Sequence, residues 1–341
     1  MDTQLNTTTQ NELPITDLDL YRQGYVSIYI ALTHWCNLHC PHCYDEFIPK
    51  SGMSTEQAMQ IIQQVESLGL PKYFYDLSGG EIMGLPNWYE LLEAFLSTGQ
   101  EVAVNTNGTL ISHKTIGKLV DLNTRFPNTL FLSVSLDSHD PEINAYSRPG
   151  SASNNVFDAM RLLKENGIRF RAAITLTGKN VDDIENTVRF IVTQYTNEFI
   201  VGVLRPVFKM SEANQGIVIS LQRVQDAMDR ILDLKKELGD FQMYHCLDQQ
   251  GQTFCEAGRD RINVNPNGNI TACYALQTPD QVIGNVYQES LVDIVRRMHA
   301  IHTNRDNRYL LCEHQGHVWG EPEHRLGLTN PSSRQIELVL K

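Results

Sequence analysis

From residue 26 to about 208, short apolar runs alternate with longer stretches in which apolar residues recur every three or four positions. The short runs predict strands: "VSIYIAL" (26–32), "KYFYDLS" (72–78), "EVAVNT" (101–106), "TLFLSVSLD" (129–137), "IRFRAAITL" (168–176) and "EFIVGVLRP" (198–206). The intervening stretches predict helices over 54–69, 87–98, 113–124, 153–166 and 182–196, and another follows at 220–238. Ser54-Thr55-Glu56-Gln57, ahead of the first apolar stripe, reads as a helix start, and Asn166-Gly167 reads as a C-cap.

Strands alternating with helices of this length imply parallel βαβ units in an α/β fold. The strand runs are nearly all apolar, as expected of a sheet covered by helices. Six units make a large part of a barrel or an open doubly wound sheet, and the pattern leaves both open. In either, chemistry belongs at the C-terminal ends of the strands.

After about residue 240, Gly, Asn, Asp and Pro become frequent. "RINVNPNGNITACY" (261–274) reads as a β-hairpin turning at Pro-Asn-Gly, and a helix is expected over 289–301. These changes divide the chain into a polar lead-in (1–24), a main α/β domain (25–240) and a smaller α+β region (241–341).

The 341 residues, 41% hydrophobic and 20% charged, suit a globular protein with a large core. A net charge of -12 argues against a nonspecific nucleic-acid binder. No apolar run approaches a membrane span, and the N-terminus lacks a basic patch followed by an apolar core. The expected location is the cytoplasm, a reducing compartment in which seven cysteines gain weight as metal ligands or catalysts.

Three of those cysteines, Cys36, Cys40 and Cys43, sit in "WCNLHCPHCY" directly after the first predicted strand. A structural zinc site is closed by four ligands, and His34, His39 or His42 is available as the fourth. Three thiolates on one loop also suit a cubane iron–sulfur cluster, with one cysteine per iron and the fourth iron open. A ferredoxin-like electron carrier is disfavoured because this first site lacks a fourth cysteine.

Cys-x3-Cys-x2-Cys after the first strand, worded "CNLHCPHCY", resembles the radical S-adenosylmethionine superfamily. The resemblance implies a partial (β/α)6 TIM-like barrel. It also implies a [4Fe–4S] cluster on Cys36, Cys40 and Cys43 whose open iron chelates S-adenosylmethionine. An electron from the cluster then releases a 5′-deoxyadenosyl radical that abstracts substrate hydrogen. A reducing donor such as a flavodoxin or ferredoxin is implied as well. Ser78, Gly79, Gly80 and Glu81, after the second strand, are similar to the family's GGE motif. Glycines there let backbone polar groups approach the methionine amino group. By analogy Asn105 and Asn107 after the third strand and Ser135 after the fourth line the cofactor cavity. Arg205, after the sixth, is placed to hold the cofactor carboxylate. His42 stands where the family often has an aromatic residue near adenine. For the asparagines, Asp137 and Arg205, local turn bonds or a surface ion pair account equally well for the residue type.

Cys255 and Cys273, in the pattern Cys-x12-Gly-x4-Cys with a later Cys312, resemble the twitch form of the SPASM extension, and "IGNV" (283–286) agrees. The implied cofactor is one auxiliary [4Fe–4S] cluster. Cys246, His314 or His317 is available as its fourth ligand, or the site stays open to substrate. Cys246 is alternatively a hydrogen-atom donor or an inert buried thiol, and a zinc site on the four cysteines is a further alternative.

The expected activity is maturation of a ribosomally made peptide by cross-linking, epimerisation or oxidation. Only about 25 residues precede the first strand, so leader binding would fall to a separate protein or to the barrel itself. The alternative substrate is a cyclitol or sugar alcohol, which calls for a general base; Tyr274, Asp137 and His317 are the candidates. A reading of another class is a zinc-stabilised binding protein.

Overall fold

The computed structural model describes residues 26–43, 52–150, 153–204, 217–245, 261–274 and 279–303. Six strands appear where the apolar runs stand: β1 (Val26–Thr33), β2 (Tyr73–Gly79), β3 (Val102–Thr106), β4 (Leu130–Ser135), β5 (Phe170–Leu176) and β6 (Glu198–Val203). The connecting helices are α1 (Thr55–Glu66), α2 (Trp88–Leu96), α3 (His113–Arg125), α4 (Pro141–Ser147), α5 (Ser153–Glu165) and α6 (Ile184–Gln194). Helices α7 (Leu221–Asp233) and α8 (Lys235–Leu238) replace the single expected helix at 220–238. The α1 start is a capping box: Gln57 N–H donates to Ser54 Oγ and Ser54 N–H donates to Gln57 Oε1. Gly167 adopts φ 65°, the left-handed cap conformation expected after α5.

Helix α4 and strand β7 (Gln242–His245) escape the pattern, as does the two-residue strand β10 (Gly284–Asn285). Helix α4 is a seven-residue segment opened by Asp140 and Pro141, too short to show a stripe. Strand β7 is four residues long, and it pairs in parallel with β6 from Glu198↔Gln242 to Val201↔His245. Among the described residues the consecutive parallel strands β1 to β7 therefore number one more than the six expected units.

The strand order β10-β9-β8-β1-β2-β3-β4-β5-β6-β7 decides the choice left open by the sequence. A doubly wound sheet reverses its order; here β1 to β7 succeed one another without reversal. Right-handed crossovers in one constant direction place all the helices on one face, as in a barrel. The other face is the inner wall.

The hairpin of β8 (Arg261–Val264) and β9 (Asn269–Thr271) continues the same sheet. β8 lies parallel to β1, and β9 and β10 (Gly284–Asn285) follow antiparallel. Flanked by β2 and β8, β1 is buried along its whole length. Helix α9 (Leu291–Thr303) closes the region, and its Leu291, Ile294, Val295 and Met298 join the apolar core that runs under the barrel. Gln64 of α1 ties the two regions: its Nε2 donates to the Val286 and Glu289 carbonyls, and its Oε1 accepts from Leu291 N–H.

The strands are less uniformly apolar than their runs suggest. Ile28, Leu77, Val104, Leu132 and Val201 face the helices and are wholly buried. Alternate positions on the inner wall are polar: Asp76 on β2, Asn105 on β3, Ser133 on β4 and Arg171 on β5. Asn105 Nδ2 donates to Asp76 Oδ1 at 2.6 Å, and Arg171 Nε donates to Ser133 Oγ at 3.1 Å. Among the described residues no helix is long and apolar enough to cross a membrane.

Candidate active site

The thiol loop leaves β1 at Thr33 and is clamped against the end of β2. Gly80 N–H donates to the Thr33 carbonyl at 2.7 Å, and Glu81 N–H donates to the Trp35 carbonyl at 2.8 Å. The contact leaves no room for side chains. A Cβ on Gly79 would stand 2.1 Å from Thr33 O, and one on Gly80 would stand 1.9 Å from Trp35 O. Gly79 also has φ 119°, a region that L residues rarely adopt. The glycine pair is thus required by the approach of two protein segments, before any cofactor is considered.

Glu81 is fully buried and brackets β2 to β3. Its carboxylate accepts from Thr106 Oγ1 (2.8 and 3.0 Å), Asn107 N–H (2.8 Å) and Met83 N–H (3.2 Å). Burial pushes its pKa up, and the donors act against that shift. Asn107 carries the bracket on to the thiols. Its Nδ2 donates to Asn37 Oδ1 (3.0 Å) and to Cys36 Sγ (3.7 Å), and its Oδ1 accepts from Thr109 N–H and Oγ1. Asn37 Nδ2 returns a bond to Thr109 Oγ1 at 2.9 Å.

Cys40 is buried and Cys36 and Cys43 are half-buried. Cys43 N–H donates to Cys40 O and Leu38 N–H to Cys36 Sγ. Among the described residues no three His, Cys, Asp or Glu side chains converge on one point. A cubane takes one thiolate on each of three irons. The donor set and its clamped loop fit an iron–sulfur cluster held by Cys36, Cys40 and Cys43.

A cation faces these thiols. Arg148, after α4, is buried and pairs with Asp137, Nε to Oδ2 at 2.9 Å. Burial lowers its pKa, but Asp137, Cys40 and Cys43 outweigh that and hold it above the ordinary arginine value. For Asp137, burial pushes the pKa up, yet Arg148, His42 and the Thr175 N–H bond (2.8 Å) bring it below the usual carboxylate range. The Asp137 main chain is fixed as well, its N–H donating to Asn144 Oδ1 and its carbonyl accepting from Asn180 Nδ2. Asp137 is a held anion that orients Arg148, which is poor geometry for the general base considered from the sequence. Sequence reasoning missed Arg148; the available signal was an arginine within "AYSRPG" (145–150), shortly after the fourth strand.

The other expected positions fall as follows. Ser78 is buried at the end of β2 opposite Ala31, and Ser135 is half-buried at the end of β4 opposite Ala173. Asn105 turns to Asp76 and to the Leu77 carbonyl. His42 lies on the thiol loop, His34 is buried and His39 is exposed. Arg205, Cys246, Cys255, Cys312, His314 and His317 lie outside the described residues.

Cys273 is half-buried just past β9. Because β8 runs parallel to β1 and β9 returns, Cys273 stands at the opposite end of β1 from Cys36, roughly 20 Å away along the strand at 3.3 Å per residue. Tyr274 stacks on Tyr29 of β1, ring centroids 5.4 Å apart. Gly268 takes φ 83° in the hairpin turn, and a Cβ there would strike the Tyr287 ring at 2.4 Å. Asn285 locks that turn by donating to Asn267 O and Asn269 Oδ1.

Comparison with known proteins agrees with this arrangement. The radical SAM superfamily matches residues 30–191, and an iron–sulfur cluster-binding domain of the SPASM type matches residues 255–314. The antilisterial bacteriocin subtilosin biosynthesis protein AlbA of Bacillus subtilis is 27% identical over 277 residues, 77% of this chain. The AdoMet-dependent heme synthase of Methanosarcina barkeri is 30% identical over 161 residues, 46% of this chain. The chain spans 58% of the length of the first and 44% of the second. Crystal structures of Streptococcus suis SuiB superpose with a TM-score of 0.69. The S-adenosylmethionine complex is 17% identical, covering 82% of this chain and 68% of SuiB, and the complex with precursor peptide SuiA is 15% identical, covering 92% and 75%. With its clamped three-thiol loop at the barrel mouth and its Cys273 hairpin beside β1, the chain has a radical SAM domain over residues 30–191, followed by a SPASM-type iron–sulfur domain over residues 255–314.

Proposed function

We propose that this protein is a peptide-modifying enzyme that acts by radical chemistry on a ribosomally made precursor, through cross-linking, epimerisation or oxidation. The carrying observation is the placement of the two cysteine sites at opposite ends of one polar inner wall, with Cys36 at the mouth and Cys273 at the far end. A substrate lying on that wall has one site on either side. The likeness to AlbA covers 77% of this chain, whereas that to the heme synthase covers 46%. AlbA serves bacteriocin biosynthesis, and SuiB has been crystallised with a precursor peptide.

In this reading Cys36, Cys40 and Cys43 hold a [4Fe–4S] cluster, and Cys273 with Cys255, Cys312 and Cys246 holds an auxiliary one in the region from 241 onward. When bound, the first cluster and S-adenosylmethionine supply hydrogen-atom abstraction from an unactivated C–H bond. The protein's own residues do the positioning. Gly79 and Gly80 admit the thiol loop against β2, Glu81 and Asn107 tie it to β3, and Arg148 faces Cys40 and Cys43 under the control of Asp137. Ser78, Ser135, His42 and Arg205 complete the proposed cofactor contacts, and Tyr274 is proposed to meet substrate near the auxiliary site. A flavodoxin or ferredoxin is the proposed electron donor and the cytoplasm the proposed location.

The test is anaerobic reduction of the reconstituted enzyme with precursor peptides encoded beside it. A product lighter by two hydrogens, or of equal mass with an inverted centre, supports the proposal; neither across those precursors refutes the peptide reading. Replacing Cys273 with Ala should lower the iron content from about eight to about four per chain while cleavage of S-adenosylmethionine persists. Replacing Cys36, Cys40 and Cys43 together should abolish that cleavage.

A further inference from the structure

Two arginines stand at alternate positions, Arg169 just before β5 and Arg171 within it, and of the two only Arg169 has a carboxylate within ion-pair distance. Arg169 binds Glu198 through two contacts, Nε to Oε1 at 3.2 Å and one terminal nitrogen to Oε2 at 3.1 Å. Arg171 lies one inward position closer to the mouth. Its guanidinium stands 5.0 Å from the Phe131 ring centroid and 5.5 Å from that of Tyr244 on β7, with its Nε bonded to Ser133 Oγ. No carboxylate of the described residues lies within 4 Å of its nitrogens. The acids in its field are Asp76, which accepts from Asn105, Glu198, which pairs with Arg169, and Glu101. Desolvation pulls its pKa below the ordinary arginine value, though an arginine keeps its proton in any protein setting.

A guanidinium is a rigid fork of donors matched to a carboxylate, and this one leaves its two terminal nitrogens directed at no protein acceptor among the described residues. Two aromatic rings and a serine fix its plane, as a preorganised anion site requires. Its depth is suitable. Arg171 pairs with Ser133, and the strand positions of Asp137 and Thr175 at the mouth are four residues, about 13 Å, further along. A substrate reacting at the mouth can extend a carboxylate to this point.

We propose that Arg171 is a substrate-binding residue that receives a carboxylate, either an Asp or Glu side chain or the C-terminus of a peptide, in a slot walled by Phe131, Ser133 and Tyr244. The proposal rests on the reading of the inner wall as the substrate chamber. The probes are capped amino acids: N-acetyl-glutamate amide against N-acetyl-glutamine amide for the side chain, and N-acetyl-alanine against its amide for the C-terminus. Binding to the reconstituted full chain is read by ligand-observed NMR. At least one acidic probe should bind about tenfold more tightly than its neutral counterpart, as a charge-assisted fork contact implies. Arg171→Gln should abolish that preference and Arg171→Lys should keep part of it, with circular dichroism confirming that each variant is folded. If Arg171→Gln does not fold, Arg171→Lys decides by a weakened preference. Equal binding of both pairs to the unaltered chain, or a preference that survives in the variants, overturns the proposal. Cleavage of S-adenosylmethionine by the unaltered chain is measured in the same preparations. Its absence would sink the radical-enzyme reading and leave the probe comparison to judge Arg171 by itself.

Discussion

Gly80 carries a steric demand that can be worked through. An alanine methyl there would lie 1.9 Å from the Trp35 carbonyl oxygen and 2.4 Å from its carbon, where ordinary contact begins at 3.4 Å. The segments must part by about 1.5 Å, and since both are backbone no rotamer change relieves the overlap. Parting them breaks the Gly80 to Thr33 and Glu81 to Trp35 bonds. Two such bonds at about 1 kcal/mol each, with about 1–3 kcal/mol of overpacking, give a loss of about 3–5 kcal/mol. The displacement falls on Trp35, the residue before Cys36, while metal sites tolerate misplacements of only about 0.5 Å. Gly80→Ala should therefore fold with a lowered melting temperature and, after anaerobic reconstitution, hold no more than about four of about eight irons. Gly117→Ala is the control. It lies exposed within α3 with nothing within 4 Å of the added methyl. There the change should stabilise by about 0.5–1 kcal/mol and leave iron uptake untouched. If Gly80→Ala takes up as much iron as the unaltered protein, the clamp argument is wrong.

Asn107→Ala removes the link from β3 to Cys36 and Asn37 and should weaken cluster retention about 10–100-fold, read as iron loss to a chelator over time. Asp137 has a lowered pKa, so its stabilising contribution is present above its unfolded value of about 3.9 and is lost as pH falls through the lowered one; Asp137→Asn should flatten the acid limb of a stability–pH curve below about pH 4. At neutral pH the same variant leaves Arg148 buried without its anion and should cost about 3–5 kcal/mol, measurable by denaturant unfolding. Asn285→Ala frees the 265–268 turn and should lower the melting temperature without loss of iron from the first site, checked by iron analysis of a Cys273→Ala background.

Much of this molecule follows from local pattern. Period-two and period-3.6 apolar spacing gives the six strands and most helices, because each element must bury one face whatever its neighbours are. Ser54 with Gln57, Gly167 and the Pro-Asn-Gly turn act over a few residues and are legible for that reason. The spacing of Cys36, Cys40 and Cys43 likewise places three thiols on one loop before any fold is known. What depends on partners far along the chain was not legible. Four residues of β7 are a strand only because β6 lies beside them. The hairpin reads as an appendix until β8 is seen against β1, which puts Cys273 at the far end of the wall from Cys36. Asp137 reads as a candidate base until Arg148 is found beside it, and Arg171 reads as one of two arginines in the run 168–176 until the wall shows that Glu198 pairs with Arg169 alone. Charge and steric fit are sums over spatial neighbours, and only the tertiary structure supplies those neighbours.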